Sequence, residues 1–423
     1  MNPLKRWAFA PILHNFFNLG IFQATGILLQ FLLIPIISRK YGLEVFGQVA
    51  LVTSFATFVG GVINYGTNQT GIKDVANHLT DKEHLSNLFY KILFFRIIAA
   101  ILFLPIILFL IFWPSHFSNV SWAGAVPLIF AEVFNPLYYL VGKEKIQWIS
   151  WGNIIVKFLI LLLILIIPMN FQSALWINFT LGMPMVIYYL LLSLYIHQKE
   201  NLQIKMPSKE SLIHLAKENF YIMFNGSAVS LQQSVFLFTI SNYISATTLG
   251  SYALIDKLLG ACRQLVASFS TAFYPQAVKL FNQSPENWIK FRNHLQKIYL
   301  VVFGTAAILI FFSAKFIVLL ITKKEDPTTE LFVQMFSLSP LLLALNANTF
   351  LTLLLEKKHR QLVIISILIV GATFLISFIL VQFSKTYVLG WYPIAIEGSC
   401  LLIYLAFTKK KEIECTLKSL LYY

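Results

Sequence analysis

Apolar residues run along this chain in long continuous blocks separated by short polar connectors. Blocks such as residues 97–113 and 158–168 sit inside segments of about 20 residues, the length a helix needs to cross a hydrocarbon core about 30 Å thick. Twelve such spans are predicted, near 13–37, 46–67, 88–112, 121–141, 148–168, 174–196, 218–241, 247–273, 298–321, 330–354, 361–383 and 387–407. The blocks are continuous rather than alternating, which excludes a membrane β-barrel. Pro114, Pro168, Pro207 and Pro327 fall near predicted boundaries, whereas Pro105, Pro136, Pro184 and Pro340 fall inside spans. The second group predicts kinked helices whose freed backbone groups are satisfied by neighbours.

One polar connector occurs twice. Residues 37–51 read I-S-R-K-Y-G-L-E-V-F-G-Q-V-A-L, and residues 240–254, 203 positions later, read I-S-N-Y-I-S-A-T-T-L-G-S-Y-A-L. Ile37/Ile240, Ser38/Ser241, Gly47/Gly250, Ala50/Ala253 and Leu51/Leu254 are identical, and Phe46/Leu249 is an apolar match. Gln30 and Gln233 are in register within the preceding apolar segments. Each copy reads as a short hairpin between the first two membrane helices of a half, and the two together predict a duplicated architecture. The expected organisation is all-α and polytopic, with about twelve transmembrane helices in two six-helix lobes related by a pseudo-two-fold axis. The N-terminal lobe covers 1–197, a linker 198–217, and the C-terminal lobe 218–423.

Composition agrees with the pattern. The chain is 58% hydrophobic and 12% charged with mean hydropathy +0.73, against about 25% charge in soluble domains. A net charge of +14 invites a nucleic-acid reading, but positive-inside bias accounts for it better. With the N-terminus cytoplasmic, 21 Lys and Arg fall on the inner side, 5 on the outer side and 6 within spans. Both ends are therefore expected inside, with Lys5 and Arg6 preceding an uncleaved first helix. Cys262, Cys400 and Cys415 are scattered and predict neither a disulfide framework nor a metal site.

Candidate chemistry lies in ionisable residues within spans, because charge at bilayer depth is costly and usually faces a bundle interior or water. Glu132, mid-way along the fourth span, and Lys157, mid-way along the fifth, belong to adjacent helices. Two readings stay open for them: an internal ion pair, or a cavity site for protons or an anionic head group. In the eighth span Asp256, Gly260 and Arg263 share a helical face, with Lys257 beside it. Arg263 offers a fixed fork of donors for a phosphate; the alternative is a salt bridge to Asp256. Arg96, about two turns into the third span, either faces a cavity or snorkels to the inner face. Asn64, Asn135, Asn153, Gln232 and Gln233 are expected to bond between helices. Tyr138, Tyr139, Trp148 and Trp151 are expected in the interfacial belt. His14, His116 and His197 read as solvated, and no metal-ligand cluster, nucleotide loop or nucleophile–base arrangement is legible.

The polar-punctuated first helix, I-P-I-I-S-R-K-Y-G-L-E-V-F-G-Q-V-A-L (34–51), I-N-Y-G-T-N-Q (63–69) and the charged pair Lys73-Asp74 together resemble the start of the bacterial O-antigen (Wzx-type) flippases. These belong to the multidrug/oligosaccharidyl-lipid/polysaccharide exporter superfamily. The motif covers about thirty-five residues, and length, span number and lobe division are similar over nearly the whole chain. The resemblance implies a multi-pass protein of the bacterial cytoplasmic (inner) membrane, with both termini cytoplasmic. It further implies two lobes around a cavity, and polysaccharide (O-antigen) repeat units carried on undecaprenyl pyrophosphate to the periplasmic leaflet by alternating access. Coupling to a proton or sodium gradient is expected. Membrane lipid is the other partner, with no nucleic acid and no cofactor.

The candidate cavity residues are Arg263, Lys157, Arg96, Glu132, Asp256 and Lys257, the cations suiting a pyrophosphate. Arg39 and Lys40, at the outer end of the first span, read as interface residues instead. A small-molecule or multidrug antiporter of the same superfamily is the main alternative, but it would favour acidic cavity residues. An enzyme would need a large outer loop or a carboxylate-rich motif, and neither is present in the sequence.

Overall fold

The computed structural model describes the backbone of residues 3–112, 119–168, 173–356, 359–383 and 386–421, and most side chains from residue 31 to residue 407. Every regular element among the described residues is helical. The chain packs as two compact units, residues Met1–Ser234 and Val235–Tyr423. Among the described residues nine stretches are long and apolar enough to cross a membrane. The first of these, Phe31–Asn77, holds the second expected span and the end of the first, while the spans expected at 218–241 and 247–273 include residues outside the described side chains.

The N-terminal unit contains α1 (Pro3–Asn64), α2 (Thr67–Asn77), α3 (Lys82–Phe112), α4 (Ala125–Phe134), α5 (Leu137–Gly142), α6 (Ile146–Ile166), α7 (Ala174–Lys199) and most of α8 (Lys209–Ser241). A straight helix of 62 residues like α1 would reach about 93 Å, three times the hydrocarbon thickness. It does not run straight. Gly42 interrupts it with φ 86° and ψ 165°, so α1 supplies the first two spans as a helical hairpin. In the C-terminal unit the corresponding break separates α8 from α9 (Ala246–Gln283), where Ser245 has φ −66° and ψ 154° and its Oγ accepts from the Thr248 N–H at 3.2 Å.

Gly42 and Ser245 are 203 residues apart, the offset of the repeated stretch. All the matched residues, Ile37/Ile240, Ser38/Ser241, Phe46/Leu249, Gly47/Gly250, Ala50/Ala253 and Leu51/Leu254, are buried in both copies. Ser38 donates to the Pro35 carbonyl at 3.3 Å and Ser241 to the Phe238 carbonyl at 2.7 Å, again equivalent positions. The shared residues are thus the inward face of one helix hairpin built twice. The turn itself differs: the first copy uses a glycine in a region L side chains avoid, the second an N-cap serine.

The end of α1's first half, just before Gly42, is tied down by Lys40. Its Nζ donates to the carbonyls of Ile164, Leu165 and Ile167 at 3.1, 2.6 and 2.7 Å, and Tyr41 Oη donates to Ile164 O at 3.0 Å. A cation there satisfies the last, unpaired carbonyls of α6 and complements its dipole. Lys40 is therefore a helix cap, a more specific role than an interface residue.

The expected loop 68–87 is mostly helical. It forms α2, an amphipathic helix burying Thr67, Gly71 and Val75 against α5, and α3 then begins at Lys82. The expected loop 276–297 is likewise taken up by α9 and α10 (Pro285–Phe312). The C-terminal unit continues with α11 (Ala314–Thr322), α12 (Pro327–Phe336), α13 (Ser339–Leu355), α14 (His359–Gln382) and α15 (Tyr392–Leu421), with α13 packed between α9, α10 and α15. The outward faces of α3 and α14 are apolar and bare, with Leu102, Phe109, Leu375 and Phe378 all exposed. Such surfaces suit a lipid solvent.

Tyr138 and Tyr139 are not belt residues. Both are fully buried in the core with Phe89 and Ile92, whereas Trp148 and Trp151 are exposed as expected of a belt. Nor is His197 solvated, since its Nδ1 bonds Tyr90 Oη at 2.8 Å. His14 and His116 lie outside the described side chains. The segment after α7 docks onto α3: Gln203 N–H donates to Ser86 Oγ at 3.1 Å, and Glu200 receives Lys145 at 2.9 Å and Lys143 at 3.3 Å.

Gly42→Ala places a side chain at positive φ and is expected to cost about 1–2 kcal/mol; Ser245→Ala, losing an N-cap bond, about 1 kcal/mol. Both are read as lower melting temperature in detergent. Burial alone would raise the Glu200 carboxyl, but Lys145 and Lys143 outweigh it and hold it below the ordinary carboxylate value. Its stabilisation, about 1 kcal/mol or less for a part-exposed pair, is complete above that ordinary value and disappears as pH falls through the lowered one. The melting difference between wild type and Glu200→Gln should therefore be present at neutral pH and shrink once pH falls below the ordinary carboxylate value, about 4.3.

Candidate functional site

The fourth span is broken in the middle. Pro136 has no N–H, so the carbonyl four residues earlier, that of Glu132, loses its helical donor, and the chain leaves helical geometry at Asn135, with ψ 106°. A second break lies at the end of α1, where Tyr65 and Gly66 adopt φ 51° and 73°. Arg96, fully buried on α3, serves both. Its Nη1 donates to Asn135 O at 2.8 Å and Glu132 O at 3.3 Å, its Nε and Nη2 to Thr67 Oγ1 at 3.0 and 2.7 Å, and Nη2 to Asn68 Oδ1 at 2.9 Å. The Tyr138 ring lies 5.4 Å beneath the guanidinium. Arg96 is turned inward rather than snorkelling: it satisfies the carbonyls at the break in the fourth span and ties them to the Thr67 and Asn68 side chains just after the end of α1.

Breaking the span there turns Glu132 toward a cavity of about 490 Å³ wholly within the N-terminal unit. Its polar lining comes from Thr53, Thr57, Asn64, Gln69, Tyr189 and Ser230, and Glu132 is the charged residue on its wall. The carboxylate receives Asn135 Nδ2 at 3.5 Å. Gly60 packs directly against it: a Cβ there would stand 2.9 Å from Glu132 Cγ, so glycine is what admits the side chain. A Cβ on Gly66 would be 2.7 Å from Ile222 Cγ2. Tyr189 is held by Asn153, whose Oδ1 accepts its hydroxyl at 2.9 Å. The volume is within the usual range for small-molecule sites, about 300–1,000 Å³.

Lys157 is half-buried on α6, one turn beyond Asn153, and is not among the described residues that line this cavity. Of the six candidates, Glu132 is the one on this wall.

The C-terminal unit gathers a different cluster. Arg263 Nη2 meets Glu397 Oε1 at 3.1 Å, and Asn346 Nδ2 donates to both Oε2 and the backbone carbonyl of Glu397 at 3.0 Å. Glu397 is 3% exposed. The salt bridge considered for Arg263 with Asp256 is replaced by one to the last helix; Asp256 and Lys257 are half-buried on α9 one to two turns earlier. Glu397 was legible as a carboxylate about ten residues inside an apolar span, and attention to the cations alone overlooks it. A third cluster, Asp74, His78 and His84, sits at the α2–α3 corner, where the sequence predicted no metal ligands.

The melting temperature tests the two arginines. Arg96→Met strands the carbonyls of Glu132 and Asn135 and is expected to cost about 3–5 kcal/mol, as when one partner of a buried charged network is removed. Arg96→Lys cannot span both breaks and is expected to recover less than half of that. Glu397→Gln keeps the shape but leaves Arg263 without its counter-charge, and should destabilise more than Asp256→Asn does.

A family model described as "Polysaccharide biosynthesis protein" matches residues 12–281 of the chain. A curated relative, "Putative O-antigen transporter" of Escherichia coli (strain K12), is 21% identical over 267 residues, 62% of this chain and 64% of that protein. The match thus spans a little under two thirds of that relative's length. Among solved structures, the chain is similar to an inward-facing multidrug resistance MATE family transporter of the MOP superfamily, with TM-score 0.67, 14% identity and coverage of 93% of this chain and 99% of that one. It is also similar to the lipid II flippase MurJ in an inward closed conformation, with TM-score 0.69, 12% identity and coverage of 97% and 91%. At such identity these likenesses establish the fold: all-α, polytopic and two-lobed.

Proposed function

Because the chain belongs to the polysaccharide biosynthesis protein family, we propose that it is a flippase moving lipid-linked polysaccharide repeat units between the leaflets of a bacterial inner membrane. It does so by alternating access and without covalent chemistry. The substrate class is an oligosaccharide on undecaprenyl pyrophosphate. Such a molecule has a head group too polar for hydrocarbon and a tail that stays in it, so the protein's task is to give the head group a polar path. Positive-inside bias supports cytoplasmic termini.

The observation that carries this reading is the cavity beneath the broken fourth span. Threonine, serine, asparagine, glutamine and tyrosine on its wall offer donors and acceptors suited to sugar hydroxyls or ordered water. The single carboxylate, Glu132, is set where a proton or sodium ion would be held, and we assign it the coupling role rather than phosphate recognition. The diphosphate then falls to cations elsewhere. Arg263 is the first candidate, because the Glu397 pair engages one of its Nη atoms and leaves other donors of the fork; Lys157 and Lys257 are the next.

The acidic lining also favours a second reading, export of a small cationic molecule, since a lone carboxylate is what an organic cation would seek. Complementation separates the two. In a strain lacking its O-antigen flippase, the wild-type chain should restore surface polysaccharide, and Glu132→Gln or Gly60→Ala should reduce it more than about tenfold at equal membrane abundance, a loss of about 1.4 kcal/mol or more in the transport step. No restoration by the wild type across several repeat-unit structures, with lowered susceptibility to cationic drugs, would overturn the flippase reading in favour of the second.

A further inference from the structure

Chemistry not yet assigned lies away from the membrane-embedded clusters, at the corner between α2 and α3. Asp74 lies in the penultimate turn of α2, His78 is the residue that ends it, with φ −125° and ψ 41°, and His84 is in the first turn of α3. Helix spacing brings Asp74 and His78 onto one face. Asp81 fixes the third member by accepting the His84 N–H at 2.9 Å, which starts α3 with that imidazole turned back toward α2.

The three side chains converge. Asp74 Oδ1 stands 3.1 Å from His78 Nδ1 and 3.0 Å from His84 Nε2. The two rings stack with centroids 3.9 Å apart and planes 23° apart, and all three donor atoms fit within 4.8 Å of one another. Each side chain is about one-third exposed, Asp74 32%, His78 40% and His84 38%, so a hydrated ion has access from one side.

We propose that Asp74, His78 and His84 form a binding site for a first-row divalent cation of the zinc type. Bonds of about 2.0–2.1 Å in tetrahedral geometry separate neighbouring donor atoms by about 3.3 Å. The two carboxylate–imidazole separations are already close to that edge, and the third, imidazole to imidazole, is within 4.8 Å, which rotation of either ring can adjust. Two nitrogen donors and one oxygen donor select zinc-like ions over magnesium or calcium, which take oxygen ligands. The fourth position is left for water. Without the ion, the protons on the facing ring nitrogens are shared with Asp74, whose backbone carbonyl also lies 3.0 Å from His78 Nδ1. The cation replaces those protons and bridges the end of α2 to the start of α3. The corner belongs to the same unit as the cavity, and the proposal stands whether or not the transport reading does.

The test uses the full-length protein, purified in detergent through a tag without histidines, and titrated with Zn²⁺ against a chromophoric chelator. Wild type is expected to take up one equivalent, and His78→Ala and His84→Ala to weaken binding by more than about tenfold, at least what loss of an outer-shell partner costs. Mg²⁺ should not compete. His84→Gln serves if the alanine variant fails to fold, since its amide can still bond Asp74 without supplying an imidazole nitrogen. Cobalt replacing zinc should give the visible absorption of a tetrahedral ion in wild type and not in the variants. Failure of the wild type to bind Zn²⁺, or equal binding by wild type and both histidine variants, would overturn the assignment.

Discussion

No water is available inside a bilayer to satisfy a backbone group that a helix leaves unpaired, and much of this protein's architecture depends on that constraint. A chain that merely crossed and recrossed lipid could avoid the problem with unbroken helices. This one breaks its fourth span at Asn135–Pro136 and turns the chain at Tyr65–Gly66, and each break needs internal donors or acceptors. Arg96 supplies donors to the Glu132 and Asn135 carbonyls at the first and to the Thr67 and Asn68 side chains just after the second, with a rigid five-donor fork that a lysine could not imitate. Lys40 does the same for the last carbonyls of α6.

This changes the meaning of a charge at membrane depth. A buried cation need not face a substrate; it can be the cost of having a broken helix, and the break in turn has a use. At Glu132 the interrupted span presents a carboxylate to a polar cavity instead of burying it against neighbours, with Gly60 removing the side chain that would stand in its place. In the C-terminal unit the acid meets a base. Arg263, Glu397 and Asn346 link α9, α15 and α13 through charge-assisted bonds in a region sheltered from water. One unit exposes an acid to a cavity, while the other pairs its acid with a base.

The duplication shows how a shared plan tolerates different local chemistry. The hairpin faces at 37–51 and 240–254 keep the same buried positions and the same serine-to-carbonyl bond, yet one turns on Gly42 and the other on Ser245. What is held constant is the packed surface. The turn is free to change provided its backbone groups remain satisfied.

Continuous apolar blocks determined the helical, membrane-spanning class, because block length against bilayer thickness is a one-dimensional property. The 203-residue offset was legible for the same reason, and it located both hairpins. Pro136 announced the break in the fourth span, and the midspan charges marked the helices that carry polar clusters. Partner choice was not legible. Arg96 turned inward to carbonyls from residues 132 and 135, Arg263 reached a carboxylate 134 positions away, and Tyr138 lay under a guanidinium rather than at the interface. The Asp74–His78–His84 corner was equally invisible, since its spacing matches no ligand motif until α2 ends and α3 begins. Hydropathy is additive along a chain, whereas pairing depends on which helices become neighbours and which faces they turn to one another; only the tertiary structure decides that.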